Sequence, residues 1–251
     1  MRKYGVQLYS VRDEFRKDMW GTLRKVKAMG YDAVEFFWEF THTAQEVKAA
    51  LKDTGLECCG WHTPWHYLQP GNLMGTITYN KIIGNNELTV PGLSNEMTNS
   101  KAAWLDTADQ FNKIADKLAS YGMKLSYHNH VEEFKDMEGD LPIRHFMDNA
   151  CRDIGLQLDN GNAFSAGAGT DVYDPITRYP GRVRTIHHKP YSVKDGFATM
   201  IGEDDIDWVR FFALCDKHQC VDWHIVEYED EKYSQLEGIK ACLDALKGLN
   251  V

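Results

Sequence analysis

The stretch MKLSYHNHVEEF, residues 123–134, is the first of four strand-like runs that end in acidic or imidazole side chains. The other three are IGLQLDNGN at 154–162, VRTIHHKP at 183–190 and VDWHIVEYED at 221–230. Successive runs are separated by about one strand-plus-helix unit of roughly 30 residues. Side chains that recur at this period converge on one mouth when the strands are parallel neighbours. The spacing therefore predicts an enzyme whose site lies at the strand ends.

The rest of the chain repeats the same alternation of β-rich and helical segments. Strands are predicted at 4–9, 33–37, 57–61, 87–90, 124–128, 155–158, 184–187 and 224–226. Helices are predicted at 19–29, 44–54, 103–121, 143–149, 172–179, 208–218 and 236–247. Strict alternation implies parallel strands joined by crossovers. Because 251 residues match the ~250 of an eight-unit barrel, we predict an α/β fold, a single (β/α)8 TIM barrel over residues 1–251. An open doubly wound sheet is the main alternative.

Local signals refine this outline. Gly30, Gly55 and Gly122 each follow a helical run and are predicted to end it in a left-handed turn. The least regular stretch, residues 65–98, is predicted to be a long loop, with only a weak helical signal at 79–83. A loop after strands three and four lies over the mouth of a barrel and shapes its pocket; a packing insertion is the alternative.

Composition limits the classes of partner. The net charge is −9, from 28 basic and 37 acidic residues, which argues against a nucleic-acid partner. No apolar stretch reaches the ~18 residues that span a bilayer, and the first residues do not resemble a secretory signal, so we expect a cytoplasmic protein without a membrane partner.

The six cysteines show no paired zinc spacing. The adjacent Cys58 and Cys59 are predicted to pack as small hydrophobic residues in a reducing compartment.

Glu133, Asp159, His187 and Glu227 are the candidate metal ligands, one in each of the four runs. Taken singly, each carboxylate could cap the following helix and the histidine could be a core residue. Helix capping alone would not place one such residue in each of four successive units. The set of four therefore favours a site for one divalent ion. Three carboxylates and one imidazole suit manganese, the leading expectation, or magnesium, cobalt or zinc.

Further polar and aromatic residues near the strand ends are candidates for substrate binding and catalysis. His130 lies two residues after His128 on the same extended segment, so both are predicted to face the mouth. Amides, imidazoles, aromatic faces and a lysine are typical of a site that binds a sugar. The predicted substrate-binding residues are His62, Trp38, His128, Asn162 and Lys189.

Several motifs resemble those of the xylose-isomerase-like barrel family, often labelled sugar phosphate isomerase/epimerase. They are GVQLYSVRDE at the start, YHNH followed by Glu133 and Phe134, LDNGN, YPGRVRTIHHK, and IVE near the end. In that family Glu, Asp, His and Glu from strands five to eight hold the metal, which implies the same four ligands here. The chain departs from the family pattern at Pro190, where aspartate is more usual, and at Asn160 beside the ligand Asp159.

The resemblance and the residues together predict a divalent-metal-dependent isomerase or epimerase of a keto sugar or related polyol. Proton abstraction beside a polarised carbonyl would be the chemical step, with Glu133 and Glu227 in dual roles and His130 as a further catalytic candidate. The alternative is a lyase or dehydratase that acts by β-elimination on a keto-inositol or a 3-keto-glycoside. The acidic charge argues against a nuclease of the same superfamily, and an intact ligand set argues against a subunit without turnover. The expected partner is a small sugar substrate, with a homo-oligomer or a small partner subunit left open.

Overall fold

The strands of the protein close into one barrel. The computed structural model describes residues 2–167, 169–218 and 221–249. Each strand pairs in parallel with the next one along the chain, and the eighth pairs in parallel with the first. The strands are β1 Tyr4–Gln7, β2 Ala33–Phe36, β3 Glu57–His62, β4 Glu87–Val90, β5 Lys124–His128, β6 Ile154–Asp159, β7 Val183–His188 and β8 Trp223–Val226. The predicted (β/α)8 barrel is confirmed.

Helices lie between successive strands and follow the last one. They are α1 Arg12–Lys17, α2 Met19–Met29, α3 Ala44–Thr54, α4 Leu73–Ile83, α5 Asn95–Thr98, α6 Lys101–Ala119, α7 Pro142–Met147, α8 Asn160–Phe164, α9 Asp174–Arg178, α10 Trp208–His218 and α11 Gln235–Gly248. Short 3₁₀ turns occur at Leu8–Val11, Trp65–Leu68 and Glu132–Phe134. The predicted helix ends at Gly30 and Gly55 are confirmed, because both residues have left-handed backbones, with φ of 97° and 67°.

The stretch 65–98 is not the long loop that its composition suggests. It contains the 3₁₀ turn Trp65–Leu68 and the eleven-residue helix α4 before β4, and then α5. Gly75 and the β-branched residues that follow it lower the intrinsic helix propensity. Burial of Leu73, Ile77 and Ile83 against neighbouring elements stabilises α4 instead. Only Pro91 and Gly92 of this stretch line the cavity at the barrel mouth.

The core lies between the barrel and its helices. Two large clusters of buried apolar side chains fill this outer layer on opposite parts of the ring. The helix α6 buries the face that its apolar rhythm predicts, including Trp104, Phe111 and Leu118. Inside the barrel, a small cluster of Ala33, Cys59 and Ile225 packs near the amino ends of the strands. The carboxyl half of the barrel interior is therefore left to polar side chains.

The cysteines described by the structure are free thiols. Cys59 is buried and Cys58 half-buried, in agreement with their predicted role as small packing residues. Burial raises the pKa of Cys58 to about 12, so its thiol stays protonated at neutral pH. Cys220 lies outside the described residues.

Candidate metal centre

The alternation of side chains along parallel strands brings polar residues into the barrel interior. On β6, Gln157 and Asp159 share one face, and on β7, Thr185 and His187 do so. The register pairs Gln157 with Thr185 and Asp159 with His187. The two strands therefore contribute these side chains at the same two levels along the barrel axis. This arrangement places the polar side chains at the carboxyl ends of the strands, where barrel enzymes hold their sites.

Four side chains meet at the mouth of the barrel. His128, Asp159, His187 and Glu227 are all buried, and each offers a nitrogen or oxygen atom within 4.8 Å of the others. Three of them are predicted metal ligands that come from β6, β7 and the end of β8. The fourth, His128 at the end of β5, was predicted to bind substrate. His62, His128 and His187 form an overlapping group with the same spacing of nitrogen atoms.

Asp159 serves two purposes with its two oxygens. Its Oδ1 accepts a hydrogen bond of 2.7 Å from the backbone N–H of Asn162 and so caps α8. Its Oδ2 is buried and has no hydrogen-bond partner among the described residues. Burial, reinforced by Glu227 and opposed by Lys189, raises the pKa of Asp159 to about 8. A buried carboxyl oxygen without a partner is costly to keep, and a bound cation would both satisfy it and favour the ionised form.

His187 lies between two carboxylates. Its Nδ1 is 3.0 Å from Glu227 Oε2, and its Nε2 is 2.6 Å from Glu35 Oε2. Burial opposes a charge on the ring, but Glu35 and Glu227 outweigh it and raise the pKa of His187 to about 10. In the absence of another cation, the imidazolium balances the two anions.

Glu227 is also held by a lysine. Lys189 Nζ lies 3.6 Å from Glu227 Oε2 and forms a shorter ion pair with Glu229. Burial would raise the pKa of Glu227, but Lys189 and His187 hold it well below its ordinary value. The carboxylate of Glu227 is therefore an anion that faces the cavity and is suited to bind a cation.

His128 is neutral. Burial, together with the neighbouring imidazoles of His187 and His62, lowers its pKa well below the ordinary value. Its Nδ1 lies 3.0 Å from Gln157 Oε1, and His62 Nε2 lies 2.7 Å from the same oxygen. A neutral imidazole has one nitrogen without a hydrogen, and the lone pair of that nitrogen can bind a metal ion.

Glu133 lies apart from this group. Its Oε1 accepts a hydrogen bond of 2.6 Å from the Tyr127 hydroxyl, and its Oε2 accepts one of 2.8 Å from the backbone N–H of His130. It lines a second cavity of about 540 Å³, next to Trp104 and Tyr127. The strand β5 ends at His128, five residues earlier, so Glu133 belongs to the following 3₁₀ turn. Its position does not support the predicted role as a ligand. Side chains alternate between the two faces of a strand, so Ser126 and His128 share one face of β5. This alternation is the signal that would have identified His128 as a candidate ligand.

All five predicted substrate-binding residues line one cavity of about 400 Å³ above the ligand group: His62, Trp38, His128, Asn162 and Lys189. The predicted catalytic residues His130 and Glu227 line it as well, whereas Asp159 and His187 are buried beneath its floor. At its rim the rings of Tyr9 and Trp38 lie 5.0 Å apart, and Trp38 is exposed. Exposed aromatic faces at a polar cavity are typical of sugar-binding sites.

Sequence reasoning missed several polar residues of this region. Tyr9 and Glu229 line the cavity, and Glu35 and Gln157 are fully buried below it. The last two lie in the middle of strands, where a single polar residue gives no sequence signal of its own. Their inward direction follows only once the strand register is known.

No helix within the described parts of the chain combines the length and apolar character that a membrane span requires.

The chain is similar to known proteins in sequence and in fold. A sequence model of the family described as xylose isomerase-like TIM barrel matches residues 23–249. An inosose dehydratase of Serratia proteamaculans is 25% identical over 150 residues, which cover 53% of this chain and 50% of that protein. The chain thus spans about half the length of the curated relatives it matches.

Two solved structures illustrate the likeness in fold. A sugar phosphate isomerase/epimerase from Parabacteroides distasonis superposes with a TM-score of 0.85 at 20% identity, covering 100% of this chain and 99% of that one. An L-ribulose 3-epimerase superposes with a TM-score of 0.73 at 16% identity, covering 98% and 95%. At these identities the superpositions establish the fold alone, and the chemistry has to be argued from the site.

Proposed function

Since the chain belongs to the xylose isomerase-like TIM barrel family, we propose that it is a divalent-metal-dependent isomerase or epimerase of a keto sugar or related polyol. One observation carries the proposal: four ligand atoms of His128, Asp159, His187 and Glu227 lie within 4.8 Å of one another below a polar cavity. The relatives named above are sugar-processing enzymes by name, in agreement with this substrate class.

The donor set fits a single divalent cation. Asp159 contributes a buried oxygen that lacks a partner, and His128 contributes a neutral imidazole. Two imidazoles and two carboxylates suit manganese, cobalt or zinc better than magnesium, which prefers oxygen ligands. When bound there, such an ion supplies Lewis-acid polarisation of a substrate carbonyl.

The residues of the chain move the proton. Glu227, whose carboxylate lines the cavity, accepts the proton from the carbon beside the carbonyl. His130 lines the same cavity and is the candidate to return a proton to the substrate. Lys189, fixed by Glu229, donates a hydrogen bond to a substrate oxygen, and Asn162 orients a hydroxyl. Glu133 has no part in this scheme because its oxygens are engaged by Tyr127 and His130.

The substrate is unphosphorylated in this proposal. Phosphate sites are commonly built from arginines or from unpaired lysines. Among the described residues, no arginine lines the cavity above the ligand group, and its lysine, Lys189, is already paired with Glu227 and Glu229. A neutral polyol avoids the repulsion that these carboxylates would exert on a dianion.

A lyase or dehydratase is the second candidate. The curated relatives that match the chain are named inosose dehydratases, and β-elimination begins with the same proton abstraction. His130 lines the cavity and is the candidate to protonate a leaving hydroxyl or aglycone. Loss of water or of an aglycone from the product would identify this outcome.

Incubation in deuterated water tests the shared step. The manganese-loaded protein is incubated with a panel of unphosphorylated keto sugars and keto-inositols, and the products are analysed by NMR. Deuterium is expected at the carbon beside the carbonyl, and Glu227→Gln should lower its incorporation by about 10²-fold or more. The matched control is Glu203→Gln, which alters an exposed carboxylate outside both cavities. Turnover with complete retention of the substrate hydrogen would contradict the proposal.

A further inference from the structure

Glu35 occupies the centre of the polar layer below the ligand group. It is fully buried in the middle of β2 and lines neither of the two cavities described above. Its Oε1 accepts a hydrogen bond of 2.6 Å from Gln157 Nε2, and its Oε2 accepts one of 2.7 Å from Gln7 Nε2. Its Oε2 also lies 2.6 Å from His187 Nε2. Any influence of Glu35 on the site therefore acts through other side chains.

The carboxylate of Glu35 fixes the orientation of Gln157. An ionised carboxylate only accepts hydrogen bonds, so the amide nitrogen of Gln157 must face it. The amide oxygen of Gln157 is then directed at two imidazoles, 2.7 Å from His62 Nε2 and 3.0 Å from His128 Nδ1. Both nitrogens must carry a hydrogen to donate to this oxygen. His62 Nε2 also lies 3.4 Å from Glu35 Oε2, a second acceptor that requires the same hydrogen.

This arrangement determines which nitrogens remain for a cation. At His128, the hydrogen that Nδ1 donates to Gln157 Oε1 leaves Nε2 as the nitrogen with a lone pair for a cation. At His187, the hydrogen bond to Glu35 occupies Nε2, and Nδ1 is the nitrogen on the side of Glu227. The Glu35 carboxylate thus determines which nitrogen carries the hydrogen in both imidazoles of the ligand group. It acts on His128 through Gln157 and on His187 directly.

We propose that Glu35 is the positioning residue that selects the metal-binding nitrogen of each imidazole, Nε2 of His128 and Nδ1 of His187. The inference deepens the proposed function and rests on its ligand group. Outer-shell acceptors of this kind fix the tautomer and the ring orientation of metal-binding histidines.

Gly60 on β3 leaves the space that Glu35 needs. A Cβ atom at position 60 would lie 2.7 Å from Glu35 Oε1, closer than real contacts allow. Gly60→Ala therefore displaces the Glu35 carboxylate without removing any polar group. It serves as a second, steric way to disturb the same relay.

The tautomers are tested directly in the metal-free protein. Long-range ¹H–¹⁵N correlation spectra of ¹⁵N-histidine-labelled protein should show His128 protonated on Nδ1 and His62 on Nε2. In Glu35→Gln, an amide replaces the pure acceptor, Gln157 is no longer held in one orientation, and the His128 signals should shift toward the other tautomer. Gly60→Ala should shift them in the same direction. A wild-type His128 protonated on Nε2, or unchanged tautomers in both variants, would overturn the inference.

Manganese affinity provides the second readout, measured by electron paramagnetic resonance of free Mn²⁺. Glu35→Gln is expected to bind about 10–100-fold more weakly, the usual cost of an outer-shell change. The matched control is Thr185→Val, which removes the 3.0 Å contact between Gln157 Nε2 and Thr185 Oγ1 but leaves Glu35 in place. It should bind within about threefold of wild type on the same scale. An affinity of Glu35→Gln equal to that of the control would contradict the positioning role.

The two readouts separate the inference from the function on which it rests. Wild-type protein that shows the expected tautomers but binds no Mn²⁺ contradicts the metal centre and leaves the tautomer selection standing. Protein that binds Mn²⁺ with the opposite His128 tautomer contradicts the role of Glu35 alone. Circular dichroism of each variant identifies any that fail to fold.

Discussion

His187 and His188 are adjacent on β7 yet lie in opposite environments. The ring of His187 faces the barrel interior, where Glu35 and Glu227 raise its pKa to about 10 against the effect of burial. The ring of His188 faces the outer layer, among Trp208 and Phe212 of α10, with its Nε2 2.9 Å from His224 Nδ1. Burial, with His224 adding to it, lowers the pKa of His188 well below its ordinary value.

Both rings are fully buried, so burial alone does not decide their charge. Inside the barrel two carboxylates outweigh the cost of desolvation, whereas outside it the aromatic surroundings leave that cost unopposed. The strand alternation therefore separates an inner polar layer, which contains the proposed metal centre, from an outer layer of packed aromatic side chains.

The largest expected effect is on metal binding. His187→Gln should weaken Mn²⁺ binding by more than ~100-fold, because the variant loses a proposed ligand rather than an outer-shell contact. The matched variant His188→Gln, one residue along the strand, should bind within about threefold of wild type on this scale. Isothermal titration calorimetry measures both. Equal losses in the two variants would mean that the inner and outer layers do not differ in function.

His188→Gln should instead destabilise the fold, because a flexible amide replaces a ring that packs against Phe211 and Phe212. We expect a loss of about 2–3 kcal/mol in the free energy of unfolding, the scale of a poorly filled core position. Urea denaturation of the metal-free protein measures it. A stability equal to that of wild type would show that the outer layer does not depend on this ring.

Much of the division between the inner and outer layers could be predicted from the sequence, because it follows from patterns within short segments of the chain. Alternating β-rich and helical segments gave the barrel, and the strand ends indicated Asp159, His187 and Glu227. At the fifth strand the sequence favours Glu133 as a ligand, whereas the structure ends the strand at His128 and places Glu133 in the turn that follows. Glu35 and Gln157 were missed because their roles depend on contacts between strands far apart in sequence.

The outer layer also predicts a pH dependence of stability. The pKa of His224, lowered by burial to about 3, lies below its value of about 6.5 in the unfolded chain. The unfolded state therefore binds more protons between these values, and stability is lost as the pH falls from about 6.5 toward 3. Each such histidine contributes at most about 1.4 kcal/mol per pH unit. His224→Phe should make the stability curve shallower between pH 6.5 and 4.5. An unchanged slope in urea denaturation would contradict the neutral state of His224.

The smallest effect is expected at Glu133. Glu133→Gln keeps an oxygen for the Tyr127 hydroxyl but loses the acceptor for the His130 backbone N–H. A loss of about 1 kcal/mol in stability is expected, the usual contribution of one hydrogen bond. Mn²⁺ binding should stay within about threefold of wild type, since no ligand changes. A large loss of Mn²⁺ affinity in calorimetry would restore Glu133 as a ligand.

The central claim is that His128, Asp159, His187 and Glu227 hold one divalent ion. Anomalous diffraction from crystals soaked in Mn²⁺ tests it most directly. We predict one strong peak per chain, within about 2.5 Å of His128 Nε2, Asp159 Oδ2, His187 Nδ1 and a Glu227 oxygen. A peak at Glu133, or no peak among the four residues at saturating Mn²⁺, would contradict it.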